Sequence, residues 1–174
     1  MLVRELRRGS QAAYIEAMRR YGRLVASVIA SMIADRRDVE ELTQDTFVRA
    51  FAAIESYRPD ETGFPTWLAR IACNAAVDRL RRSGLRFAEV SVDAMADVAD
   101  DSAAEPPLDA EYLAEAMERL APHERLALTL VYYDGLSVED AAYVLRLSAP
   151  VLSSRLYRLR KKLASLIYEL KKCR

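Results

Sequence analysis

The chain has 174 residues, 52% of them apolar and 30% charged, with 26 basic side chains balanced by 26 acidic ones. That length suits one ordinary domain or two small ones, and that composition belongs to the soluble, globular class. It excludes a bilayer-spanning helix, since no apolar run is long enough, and the start (Met1-Leu-Val-Arg-Glu-Leu-Arg-Arg) lacks a secretory core, so a cytoplasmic protein without membrane insertion is expected. Cys73 and Cys173 lie far apart and suggest neither a disulfide framework nor a metal site. His123 has no second histidine to make a ligand pair, and reads instead as a first-turn helix residue after Pro122. The zero net charge hides segregation. Residues 1–84 carry +3, residues 85–107 carry −5 and residues 108–174 carry +2, with nine basic against one acidic in 146–174. A basic tail of that kind suits a polyanion, although it also suits a solvated last helix whose cations lie near its own C-terminus.

In chain order, Ser10 can cap a helix whose inward residues are Ala13, Ala17, Tyr21, Leu24, Val28 and Met32. Asp35-Arg-Arg-Asp38 interrupts the pattern, and Asp38 with Glu41 forms a capping-box-like start for a second helix. Its inward stripe is Val39, Thr43, Thr46, Phe47, Ala50 and Ile54, while Glu41, Gln44, Asp45 and Val48 face outward. That acidic and amidic face fits plain solvent, or a dock for a basic helical partner. Ser56 to Gly63 is a loop broken by Pro59 and Gly63. It leads into Phe64 to Arg82, where Pro65 suits the first turn and Leu68, Ile71, Ala72, Ala75 and Ala76 form one apolar stripe. The opposite face carries Trp67, Arg70, Asn74, Asp78 and Arg81. Arginine forks clamp phosphates, an amide pairs with a base edge and an indole stacks on an unpaired base. The same residues also fit a solvated face, with Trp67 in the core and Arg82 paired with Asp78.

Residues 85–107 have no sustained helical period and are dense in acid, closing on Pro106-Pro107; they read as a flexible or extended acidic linker. It is either an inert tether or a negative strand able to lie in a positive channel made for nucleic acid. A second unit runs from Leu108. One helix holds Leu113, Met117 and Leu120; the next starts at Pro122, turns Leu126, Thr129, Leu130 and Tyr133 inward, and ends at Asp134-Gly135. Ser137-Val-Glu-Asp140 is a further capping box, opening a short helix with Val138, Ala141, Ala142 and Leu145 inward. A turn through Arg146, Leu147 and Ser148 precedes a last helix with Leu152, Leu156, Leu159, Leu163 and Leu170 on one side. A short helix, a tight turn and a longer basic helix predict a helix-turn-helix. Ser153, Ser154, Arg155, Tyr157, Arg158 and Lys161 lie off the apolar stripe, where hydroxyls and guanidiniums reach phosphates and base edges. The fold class is therefore all-α: two small helical domains, 1–84 and 108–174, joined by the acidic linker 85–107.

Taken together, these motifs resemble the extracytoplasmic-function (ECF) class of bacterial sigma factors, of the sigma-70 family, over nearly the whole length of the chain. Asp38-Val-Glu-Glu-Leu-Thr-Gln-Asp-Thr-Phe47 resembles the family helix that docks on the polymerase clamp coiled coil. Phe64 to Arg82 resembles its reader of the downstream promoter box. Leu120-Ala-Pro, Tyr133 to Ala142 and Ser154-Arg-Leu-Tyr-Arg158 resemble its reader of the upstream box. The resemblance implies an initiation factor that is not an enzyme and needs no cofactor or metal. Its partners would be core RNA polymerase, through Glu41, Gln44 and Asp45, and promoter DNA. Trp67, Arg70, Asn74 and Arg81 with the loop before them would hold the opened strand. The last helix would read the duplex, the linker would lie in the RNA exit path, and an anti-sigma factor is a further partner to expect. The chain departs from the family pattern at Cys73 (usually Arg), Arg146 (usually Gly), Pro150-Val151 (usually Gly-Thr) and Ser153 (commonly Lys). Taking away one phosphate-binding group flattens the salt dependence of DNA binding by about one unit.

Two other readings compete. One is a helix-turn-helix regulator that binds a symmetric duplex site without polymerase; the other is a sigma-like adaptor with weak DNA contacts. No Gly-rich phosphate loop, nucleophile elbow or paired-histidine motif supports an enzyme.

Overall fold

The computed structural model describes residues 1–84 and 110–172, and every described element is helical. The elements are α1 (Leu2–Arg7), α2 (Gln11–Ala30), α3 (Arg36–Ala52), a 3-10 turn (Ile54–Ser56), α4 (Phe64–Arg82), α5 (Ala110–Glu118), α6 (Pro122–Leu128), a π turn (Thr129–Tyr133), α7 (Val138–Leu145) and α8 (Ala149–Lys172). The acidic linker expected over 85–107 lies outside the described residues.

The caps explain most of the boundaries. Ser10 accepts from the Ala13 N–H and starts α2, as expected. α3 differs: Asp35, not Asp38, is its N-cap, accepting from the amides of Arg37 and Asp38. Asp38 lies inside the first turn, where its charge suits the helix N-terminus, and its carboxylate is taken by Arg79 of α4. Pro65 sits in the first turn of α4, following Gly63 as N-cap. At α6 the Glu124 carboxylate accepts the Ala121 N–H at 2.9 Å; Ala121 has no side-chain oxygen to answer it, so only half a box forms.

α2, α3 and α4 pack on one another around Val25, Val28, Ile29, Phe47, Leu68, Ala72 and Ala76. The run of alanines along α4 lets the helices approach closely. α1, absent from the expected elements, lies on α2 with Leu6 fully buried. In the second half α5, α6 and α7 pack on α8, which buries Leu152, Leu156, Leu159, Leu163, Ile167 and Leu170 at steps of three and four. Burying each such side chain contributes about 1.5–3 kcal/mol. Tyr133 is a correction: expected inward, it is 64% exposed. The π turn inserts an extra residue per turn and rotates the chain beyond it, carrying Tyr133 off the inward face.

The two halves touch. α7 packs more broadly on α4 than on α8, its partner in the helix-turn-helix. Thr66 Oγ1 donates to Asp140 Oδ1 at 3.1 Å, and the Arg70 guanidinium lies over the Tyr143 ring, 4.3 Å from its centroid. One turn further on, Arg146 donates to Asn74 Oδ1 at 3.4 Å. On α2, Arg23 donates to the Tyr133 hydroxyl at 3.1 Å, and the Ser31 carbonyl accepts from Arg125 Nε at 2.8 Å. Ser27 bonds Asp134 in the same seam; burial still holds that carboxyl above the usual range, opposed by Ser27 and Arg23.

Candidate nucleic-acid interface

The outward face of α4 is built on an aromatic base. Trp67 is half-buried, its ring 5.2 Å from Tyr57 and 5.7 Å from Phe64, centroid to centroid. Tyr57 is buried; its hydroxyl donates to the Thr62 carbonyl at 3.0 Å, and its own carbonyl accepts from Arg7 at 2.9 Å. The cluster thus ties the loop before α4 to the helix. Trp67 serves packing with one side and leaves the other at the surface.

Arg70 is half-buried against Tyr143, Asn74 is exposed beside Arg146, and Arg81 is exposed near the end of the helix. Asp78 does not pair with Arg82; it faces Arg49 of α3 at 3.8 Å. Of the four residues expected on the strand-holding face, the structure brings Trp67, Arg70 and Asn74 along one side and turns two of them toward α7. Thr66, Tyr143 and Arg79 were not singled out from the sequence. Their partners lie on other helices, and no local spacing announces them.

Cys73 and Arg146, two of the departures from the family pattern, meet here. Cys73 is 6% exposed and burial pushes its thiol up to about 11, with Arg146 and Arg70 pulling the other way. Arg146 caps α7 at φ 57 and ψ 41, the left-handed region that favours glycine.

On α3, Gln44, Asp45 and Val48 are all exposed, with Val48 67% accessible at the centre of the face. Glu41 is exposed too, but Arg79 reaches it at 3.4 Å while also holding Asp38. One α4 arginine therefore orients the acidic start of the α3 face.

On α8, Ser153, Arg158 and Lys161 are exposed, whereas Ser154, Arg155 and Tyr157 are half-buried. Lys161 Nζ lies 4.7 Å from the Tyr157 ring centroid. Burial, then Arg158, lowers the pKa of Arg155. His123 is kept below its ordinary value by burial first, opposed by Glu124 and helped by Arg155 and Lys162. Lys162 is held by Glu124 at 2.7 Å and so faces α6. The six expected upstream-box residues thus divide into three that are exposed and three that are half-buried.

Two family models fit the chain: Sigma-70 region 2 over residues 17–86 and Sigma-70 region 4 over residues 110–163. The ECF RNA polymerase sigma-E factor of Escherichia coli (strain K12) is 31% identical over 173 residues, covering 92% of this chain and 90% of that one. This chain belongs to the ECF sigma factors. A factor of this family directs RNA polymerase to promoters, and the region 2 match sets aside the polymerase-independent regulator. The ECF RNA polymerase sigma factor SigE of Mycolicibacterium smegmatis is likewise 31% identical to this sigma factor, over 89% of its length and 63% of the relative's. Among solved structures, CnrH in complex with the cytosolic domain of CnrY superposes with a TM-score of 0.70 at 27% identity, covering 97% of this sigma factor and 96% of that chain. The sigma factor RpoE of Bartonella quintana, solved with the anti-sigma factor NepR, shares the fold with a TM-score of 0.67 at 24% identity, over 89% and 96% of the two chains. Among the described residues no helix is long and apolar enough to cross a membrane.

Proposed function

We propose that this sigma factor divides initiation among three helical faces. The α3 face (Glu41, Gln44, Asp45, around Val48) docks on core polymerase. The α4 face (Trp67, Arg70, Asn74, Arg81), with the loop before it, holds the opened strand of the downstream box. The α8 face reads the upstream box as duplex, with Ser153, Arg158 and Lys161 reaching DNA and Ser154, Arg155 and Tyr157 behind them. The units are bounded as 1–84 and 108–174, and the acidic segment between them lies in the RNA exit path. It works in the cytoplasm as an initiation factor without a catalytic step of its own. CnrH, similar along nearly its whole chain, was solved in complex with the cytosolic domain of CnrY, which supports an anti-sigma partner here.

The observation that carries the reading is the α4 face: guanidinium and amide groups spaced by helical turns beside a ring anchored on Tyr57 and Phe64. An unstacked base finds an aromatic surface there, and its backbone finds cations. The test is permanganate reactivity of downstream-box thymines with core polymerase added. Wild type should expose them. Asn74→Ala should lower that reactivity while core binding is retained. Unchanged reactivity removes Asn74 from the strand-holding face.

A further inference from the structure

The start of α3 uses its carboxylates differently from a capping box. Asp35 supplies the cap, accepting from the amides of Arg37 and Asp38 at 2.7 and 3.3 Å. The side chains of Asp38 and Glu41 are therefore left for other partners. Both meet Arg79, in the last turn of α4. Its Nη2 donates to Asp38 Oδ1 and also to Glu41 Oε2, the latter at 3.4 Å. The three side chains are graded in exposure: 30% for Arg79, 36% for Asp38 and 63% for Glu41. Arg79 and Asp38 thus sit in the α3–α4 seam, and Glu41 leads outward from it. Glu41, Gln44, Asp45 and Val48 follow at steps of three and four, so they share one face of α3.

We propose that Arg79 is a positioning residue for polymerase docking: moored by Asp38, it holds Glu41 in the orientation that polymerase takes up, without touching polymerase itself. The proposal rests on the assignment of Glu41 to the docking face. An exposed glutamate is long and rich in rotamers, and ordering it on association opposes binding. Arg79 does part of that ordering beforehand. Its nitrogen bridges a short carboxylate fixed in the first turn of α3 and a longer one a turn further on. A guanidinium suits the task, because its planar donors are already arranged. Glu41 is oriented by this contact but not used up, since most of its side chain stays open to a partner. An ion pair this exposed adds little to the stability of the fold. Charge alone would predict the opposite outcome. An acidic face fits a basic partner, so the Arg79 cation opposes docking, and its removal would tighten binding. That effect is small: Arg79 is already matched by two carboxylates, and the Debye length at physiological ionic strength is about 8 Å. Orientation therefore outweighs charge, and Arg79→Ala weakens docking instead of strengthening it.

The test is a double-mutant cycle on the full-length chain. Affinity for purified core polymerase is read by competition with labelled wild type at physiological ionic strength. Arg79→Ala should weaken core binding about fivefold, the size expected when one side chain is no longer ordered in advance. In a Glu41→Ala background the same substitution should make no further difference, because its effect passes through Glu41. Asp38→Asn loosens the mooring with almost no change of shape and should also weaken binding, again only while Glu41 is present. It decides the matter if Arg79→Ala disrupts the end of α4. A general loosening of α3 against α4 would disturb Asp45 as much as Glu41, so a loss that persists in the Glu41→Ala background overturns the proposal. Tighter binding by Arg79→Ala overturns it as well, since Arg79 would then be competing with polymerase for Glu41. Glu41→Ala alone separates the two levels. If it leaves core affinity unchanged, the assignment of Glu41 to the docking face has failed and the positioning role with it. If it weakens core binding while Arg79→Ala and Asp38→Asn do not, only the positioning role has failed.

Discussion

Arg146 sits where the backbone favours glycine, and a left-handed residue with a side chain costs about 1 kcal/mol or more. The sequence marked it only as a departure from a family pattern; the hydrogen bond to Asn74, 72 residues away, gives that departure a structural partner. Cys73 was legible as a missing cation, but not as a buried thiol. Raised from 9.0 to about 11 by burial, it stays protonated in the fold while the unfolded chain releases its proton first. Its contribution to stability is thus full below about pH 9 and is lost as pH rises toward 11. Urea midpoints across that window should fall more steeply for wild type than for Cys73→Ala; parallel curves would mean that the thiol is not shielded. Caps were read well where one candidate stood alone, as at Ser10 and Ser137. They were misread at Asp38, because Asp35 three residues earlier is equally able to accept amide protons.

At the level of elements, periodicity identified α2, α3, α4 and α8, since each is long enough for the pattern to repeat, and most of their buried stripes; on α3 it missed Leu42, which is buried, and placed inward Val39 and Thr43, which are half-buried. α1, at six residues, is too short to show one, and the π turn breaks the 3.6-residue period that placed Tyr133 inward. On α8 the leucine stripe fixes which side chains project, and Arg158 is the exposed guanidinium among them. Arg158→Ala should weaken binding to an upstream-box duplex by about 1–3 kcal/mol if it makes a bidentate base contact. Gel shifts with holoenzyme measure this directly, and an unaltered affinity would take Arg158 out of the reader. The fold of α8 should be unaffected, since the arginine contributes nothing to the buried stripe.

For the whole molecule, the sequence announced two helical bodies and a charged strap, and the family comparisons agree with the two bodies. How the bodies meet was not legible. The rungs of the seam join residues more than 70 positions apart, and a periodic pattern reports only which face is apolar, not what covers it. The α4 face therefore read as open to DNA, whereas the structure lays α7 along part of it. The proposed function depends on one outward acidic helix face joining this chain to polymerase and thereby bringing its two proposed DNA-reading surfaces to a promoter. Run-off transcription from genomic fragments with purified core polymerase, adding either wild type or Asp45→Arg, decides that dependence. Discrete, factor-dependent start sites are expected with wild type, and their loss with Asp45→Arg at unchanged helicity. Start sites that Asp45→Arg supports as well as wild type, or none with wild type, would refute it.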